Sequence, residues 1–269
     1  EISCSLVGSE MCIRDSYFIT LFGNNNMEKG LKGMILEMKH KFELVYRITF
    51  IIICATGIFI HFDLNDRNVN VHEFSFFTLW SNIFCLVFMI ILLIKHFTGK
   101  DTRSKLLIYF KGMALASITC TFLVYHFSEH KIILPDDTMT SLGLPVESIL
   151  AHYVVPYMFI LDWLFFQPKG LFRWNHIITW LAFPFIYIVC FFTRCQCNAP
   201  EEFINVPKYP YFFLNYESIG YGKCFLYILF LVGIFLAVNF IIVFTDSFLY
   251  QRGIFQKLQK KTDKKISSS

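Results

Sequence analysis

An all-α, polytopic membrane protein with six transmembrane helices and both termini in the cytoplasm is the fold this sequence predicts, and three observations predict it. The first is apolar excess: 55% of the 269 residues are hydrophobic, with 33 Phe and 13 Tyr, against 16% charged. A soluble domain of that composition would expose large apolar patches, whereas lipid accommodates them. The second is the recurrence of apolar runs near the length a helix needs to cross hydrocarbon, about 20 residues. They lack the strict alternation of barrel strands, so helices satisfy their backbone. The third is the placement of Lys and Arg, which favours every second connection.

Taken in order, Glu1–Ser16 (EISCSLVGSEMCIRDS) resembles translated adaptor sequence, and residues 1–26 are set aside as a non-native or disordered leader. Met27 is the expected start, and a six-helix transmembrane domain is expected over 27–256. Its spans are read at 44–62, 74–94, 106–127, 148–166, 177–193 and 224–244. Arg47 stands near the start of the first, and Lys111 lies early enough in the third for its stem to snorkel to the interface. Residues 257–269 form a basic, solvated tail.

Orientation is read from the connections. Lys29, Lys32, Lys39 and Lys41 precede the first span, Lys95, Lys100, Arg103 and Lys105 join the second to the third, and Lys169 and Arg173 join the fourth to the fifth. The tail is basic too. The other connections are acidic: Asp63, Asp66 and Glu73 in one, Glu129, Asp136, Asp137 and Glu147 in the next. Short basic loops stay in the cytoplasm, so the termini are expected there. Charges that punctuate apolar runs in this way give no basic face for nucleic acid. Cys54, Cys85, Cys120 and Cys190 fall in apolar runs as small hydrophobes, and a bridge among Cys195, Cys197 and Cys224 stays open.

The chemistry-bearing stretch is Leu150 to Trp163, where His152, Pro156 and Asp162 interrupt a span. Ionisable groups inside spans are costly and are functional by default. Thr78 and His152 each lie four residues inside their spans from the same side, roughly 6 Å down at 1.5 Å per residue. If those spans are neighbours, the two residues can meet. A threonine hydroxyl becomes a nucleophile when a histidine takes its proton. Asn82, one turn deeper with Ser81 beside it, is a candidate oxyanion donor or support. The same residues also suit an interhelical packing network. Pro156 is expected to free the carbonyl of His152 and kink the helix, and Asp162 to pair structurally with Lys169 or Arg173.

A second constellation gathers on the same side: His61, Asp63, His72, His126 and His130 with His152, of which His61, Asp63, His126 and His152 are the alternative metal ligands for a metal-dependent hydrolase. Their spacing matches no metal motif. No cofactor is expected, because Gly220-Tyr221-Gly222-Lys223 lacks the strand and the hydroxyl residue of a phosphate loop. The segment from Arg194 to Tyr221, with Tyr209, Tyr211, Phe212, Phe213 and Tyr216, reads either as an aromatic interfacial belt or as a lid or re-entrant segment over a site opening on that side. A transporter gains little, since the inner halves of the spans supply few polar residues beyond Asp162 and Asn239.

As an ordered set, Phe76-Phe77-Thr78-Leu79-Trp80-Ser81-Asn82, His152 with Pro156 and Asp162-Trp163, Pro168-Lys169-Gly170, Tyr209-Pro210-Tyr211 and Gly220-Tyr221-Gly222 resemble the six-span "Pr-six-Pr" membrane proteins of bacteria. That family is distantly similar to the androgen-induced and androgen-dependent multi-span proteins of animals, hydrolases of fatty acid esters of hydroxy fatty acids. The resemblance implies Thr78 as nucleophile and His152 as base, with membrane lipids as partners and a lipid ester as substrate. The expected location is the cell membrane. The opposing class is a non-enzymatic membrane protein, whether transporter, structural or signalling.

Overall fold

The computed structural model describes residues 25–61, 74–99, 104–129, 146–196 and 208–253. The leader up to residue 24, the tail at 257–269, and Asp63, His72, His130 and Cys197 lie outside the described residues, as does the side chain of His61. Helix α1 covers Asn25–His61, α2 Phe77–Phe97 and α3 Lys105–Val124, which runs into a π-helical turn at Tyr125–Glu129. Helix α4 (Val146–Ile149), a second π-helical turn at Leu150–Val154 and α5 (Val155–Phe166) are continuous. Helices α6 (His176–Thr179) and α7 (Ala182–Gln196) come next, then α8 (Tyr216–Ile219) and α9 (Tyr221–Gln251).

Six stretches are long and apolar enough to cross a membrane: Gly33–Ile60, Phe77–Phe97, Lys105–Phe127, Val146–Phe166, His176–Gln196 and Tyr221–Gln251. All six expected spans are present. The first and last helices extend past the expected spans of 44–62 and 224–244; Glu37 and Lys41, one turn apart, pair at 2.9 Å in the added N-terminal turns.

The chain divides into two compact units, Glu1–Tyr46 and Arg47–Ser269. In the first, the described residues belong to α1, with Phe42 and Tyr46 packed ring to ring at 6.4 Å. The second is built around α3, the most enclosed of the spans. Its Gly112, Ala114, Ala116 and Ser117 are all buried, and small side chains let neighbouring backbones approach, which is how helices pack in lipid. Phe50 and Cys54 of α1, Phe88 and Met89 of α2, Phe159 and Trp163 of α5, Trp180, and Val238 and Ile242 of α9 complete that core.

Gly112 shows how tight the packing is. A Cβ at this position would sit 1.9 Å from Cζ2 of the buried Trp180. Gly112→Ala is therefore expected to destabilise the protein by roughly 1–3 kcal/mol, the usual cost of overpacking. A thermal unfolding series in detergent would show it, and an unchanged midpoint would count against this packing.

The register between α6–α7 and α9 is antiparallel. Asn239 donates from Nδ2 to the carbonyl of Ile177 at 2.8 Å at one level. At the other end Phe191 and Cys195 cluster with Leu214 and Cys224.

Candidate active site

Thr78 lies in the first turn of α2 and His152 in the π-helical turn between α4 and α5. The structure brings them together, with Thr78 Oγ1 at 3.1 Å from His152 Nε2. His152 Nδ1 lies 3.0 Å from the carbonyl of Ser148. A carbonyl only accepts, so Nδ1 carries the ring proton and Nε2 presents a lone pair to the threonine hydroxyl. The remaining freedom of the ring is removed by Tyr125, whose ring stacks on it at 3.7 Å between centroids and 17° between planes.

The π-helical turn explains what holds this arrangement. The amide of Val155 donates to the carbonyl of Leu150, five residues back. In that register the amide that Pro156 lacks would have served Ala151. The expectation that Pro156 frees the carbonyl of His152 is therefore corrected by one residue. Asn82 takes the vacancy, donating from Nδ2 to Ala151 O at 3.2 Å and also to Thr78 O at 2.8 Å.

With its amide engaged on two carbonyls, Asn82 ties the backbone of Thr78 to that of Ala151. Ser81 donates to Thr78 O at 2.9 Å and lies 2.8 Å from Thr121 Oγ1. Both residues therefore grip the turn that carries Thr78. The start of α2 is held from a third direction by the aromatic segment: the Phe77 amide donates to Tyr211 Oη at 3.1 Å. Nearby, Tyr187 donates to Ser75 O at 2.6 Å, and Arg194 to Ser75 Oγ at 2.7 Å.

Thr78 and His152 line one wall of a cavity of about 310 Å³. Its other walls come from α3, α7, α9 and the segment around Tyr211 to Leu214, and its lining contains no Asp, Glu, Lys or Arg. Sequence reasoning missed three of these residues. Tyr125 gave no signal, Tyr187 read as one more aromatic in a span, and Tyr211 was visible only as part of an aromatic cluster.

Of the alternative metal set, His126 and His152 are the two whose side chains are described. His126 is exposed and faces Tyr153 Oη at 3.3 Å, while His152 is buried with Thr78 and Ser148. No group of three His, Cys, Asp or Glu side chains that could hold a metal ion occurs among the described residues.

At the other end of the spans Asp162 is fully buried. It accepts from Arg47 Nε at 3.2 Å and from Lys111 Nζ at 2.5 Å. The expected pairing with Lys169 or Arg173 is corrected. Arg47 and Lys111 turn inward from α1 and α3 onto α5 instead of reaching for the interface, and they share one carboxylate. Lys169 donates to the carbonyls of Trp163 and Gln167 and lies over the Trp163 ring at 4.5 Å.

Burial pushes the Lys169 ammonium down to about 8 from the ordinary 10.5. Between those values the unfolded chain binds the extra proton, so stability from this group rises with pH from about 8 towards 10.5, and the burial cost is fully present below 8. Relative to Lys169→Gln, the native protein is expected to gain thermal stability as pH rises through that window. A constant difference between the two melting curves from pH 7 to 10 would contradict it.

Fold and composition define the class: a multi-pass integral membrane protein. Compared with protein-family models, curated proteins and solved structures, the chain matches none of them.

Proposed function

We propose that this protein is an intramembrane hydrolase of lipid esters, with Thr78 as nucleophile and His152 as general base. The observation that carries the reading is one geometry: a threonine hydroxyl 3.1 Å from a histidine nitrogen whose tautomer is fixed by Ser148, in the wall of an uncharged cavity. Hydroxyl, base and orienting acceptor are the parts an activated nucleophile needs. Here a backbone carbonyl stands where many hydrolases use a carboxylate.

In the proposed reaction Thr78 Oγ attacks the ester carbonyl while its proton passes to His152 Nε2. The tetrahedral oxyanion forms beside the first turn of α2, where helix amides lack intrahelical partners and the helix end is positive. As the ester C–O bond breaks, His152 returns the proton to the departing alcohol. Water then attacks the acyl-threonine, giving its proton to His152, and the fatty acid leaves as Thr78 recovers its hydrogen. Ester enters laterally from lipid. By the alternation of basic connections, the Thr78 end faces away from the cytoplasm of a cell membrane. Kinship with the six-span bacterial group belongs to the same proposal.

The test is labelling of the purified, detergent-solubilised protein with a fluorophosphonate probe. Labelling of the native chain and its loss in both Thr78→Ala and His152→Ala, with melting temperatures close to native, is expected. Equal labelling of native and Thr78→Ala protein would remove Thr78 as nucleophile. An unlabelled native chain would favour a packing network or a transport role.

A further inference from the structure

We infer that the cavity holds the hydrocarbon tail of a membrane lipid, drawn in sideways from the bilayer between α7 and α9, with Phe185 at the mouth. Lateral entry is shared with the proposed reaction, but the site stands on the cavity walls and needs no turnover.

The walls decide the chemistry of the occupant. No charged side chain lines the cavity, so an ionic group drawn inside would lose its hydration without a counter-charge. Three of the lining hydroxyls are already committed to the protein: Thr121 to Ser117 O and Ser81, Tyr187 to Ser75 O, and Tyr211 to the Phe77 amide. The space they enclose is largely apolar, about 310 Å³, with the Thr78 and His152 pair on one wall. Cavities of this kind take apolar ligands in preference to water.

Phe185 shows where the cavity opens. Of the lining residues it alone is exposed, at 67%, while the others are buried or half-buried. Two residues turn an α-helix by about 200°, so Phe185 lies roughly 160° round α7 from Phe183 and from Tyr187, whose rings pack on Phe77 of α2. It is thus turned away from α2, and Val189, one turn on, is exposed beside it. Helix α3 forms the back of the cavity, where Cys120 and Thr121 are buried. That leaves α9 as the far edge of the mouth. There the lining residue Val232 shares a helix face with Leu229 and Phe225, both exposed. Each helix therefore passes from cavity wall to an apolar outer face within a span, and hydrocarbon is what meets the mouth.

The chain joining α7 to α9 is fastened where it covers the cavity. Tyr211 Oη accepts from the Phe77 amide at 3.1 Å, the Tyr211 and Phe213 rings stack at 5.0 Å, and Leu214 is fully buried. Arg194 ties Lys208 O to Ser75 Oγ. A solute arriving from water would have to undo these contacts, whereas a lipid tail meets an open mouth.

The experiment places the full chain in dioleoyl phosphatidylcholine vesicles containing a dialkyl ether phosphatidylcholine with a diazirine in its tail; the ether bonds resist hydrolysis. After photolysis, marked residues are located by peptide mass spectrometry. Marks on the exposed Phe230 report the bulk bilayer, whereas marks on the buried Cys120 and Thr121 report a tail inside the cavity. Both are expected in native protein. Leu231→Trp fills the cavity from α9 and should abolish the α3 marks while leaving those on Phe230; Val232→Trp serves if the first variant folds poorly. Tyr211→Phe removes the acceptor of the Phe77 amide and should leave the α3 marks at the native level.

Absence of α3 marks in native protein, or α3 marks that neither tryptophan variant lowers, would overturn the site. A severalfold rise of those marks in Tyr211→Phe would put the entrance at the aromatic segment and overturn the lateral route. Native α3 marks in a chain that the fluorophosphonate leaves unlabelled would sink the hydrolase reading and leave the tail site standing.

Discussion

Asp162→Ala is expected to destabilise the protein by roughly 3–5 kcal/mol, the cost of removing one partner from a buried ion pair. The carboxylate has no exposure to solvent, and its two oxygens divide between Arg47 on α1 and Lys111 on α3. Its loss leaves two cations buried where they shared a counter-charge, and three spans lose their polar tie. The expected effect is asymmetric. Lys111→Met leaves Asp162 with Arg47 and should cost far less than Asp162→Ala. Replacing all three by apolar residues of similar size should be nearly neutral, because a buried ionic group contributes little net stability against a well-packed apolar one. Unfolding in detergent across the three variants measures this ordering. Equal losses for Asp162→Ala and the triple variant would mean that packing, not charge, holds this end.

That network marks the boundary of what the sequence could reveal. Span number was legible because the free energy of placing a helix in lipid is summed over about 20 residues, so single exceptions do not blur it. The meeting of Thr78 and His152 was legible as depth, since helix rise converts sequence position directly into distance from the span end. Depth does not say which way a side chain points around the helix. Arg47 and Lys111 lie at depths from which a long side chain reaches the interface, and only the neighbouring carboxylate of α5 turns them inward. The π-helical turn was likewise invisible. It adds a residue to one turn, rotating the rest of the helix by about 100°, and so moves the orphaned carbonyl from His152 to Ala151. Asn82 read as an oxyanion donor or a support: its spacing from Thr78 was legible, but the sequence did not show that two carbonyls would engage its amide.

On the proposed mechanism, Thr78→Ala and His152→Ala are expected to separate catalysis from folding. Loss of the base should lower turnover of a 4-nitrophenyl ester by about a hundred- to ten-thousand-fold, the usual contribution of general-base catalysis. Loss of the nucleophile should remove the acyl-enzyme altogether. The stability cost is much smaller, because Thr78 is only half-buried and the hydroxyl makes one bond to His152, and such a bond contributes about 1 kcal/mol net. The helix turn that carries Thr78 is held by Asn82 and Ser81 through its backbone carbonyl, which the substitution leaves in place. Thr78→Ser keeps the hydroxyl but frees its rotamer, so its turnover should fall between native and Thr78→Ala at native stability. A purely structural pair would give the opposite pattern: all three variants would melt earlier in proportion to the contacts removed, and any esterase activity present would persist in Thr78→Ala. Turnover and melting temperature measured on the same preparations therefore decide between the readings, and persistence of native turnover in Thr78→Ala is the result this mechanism does not survive.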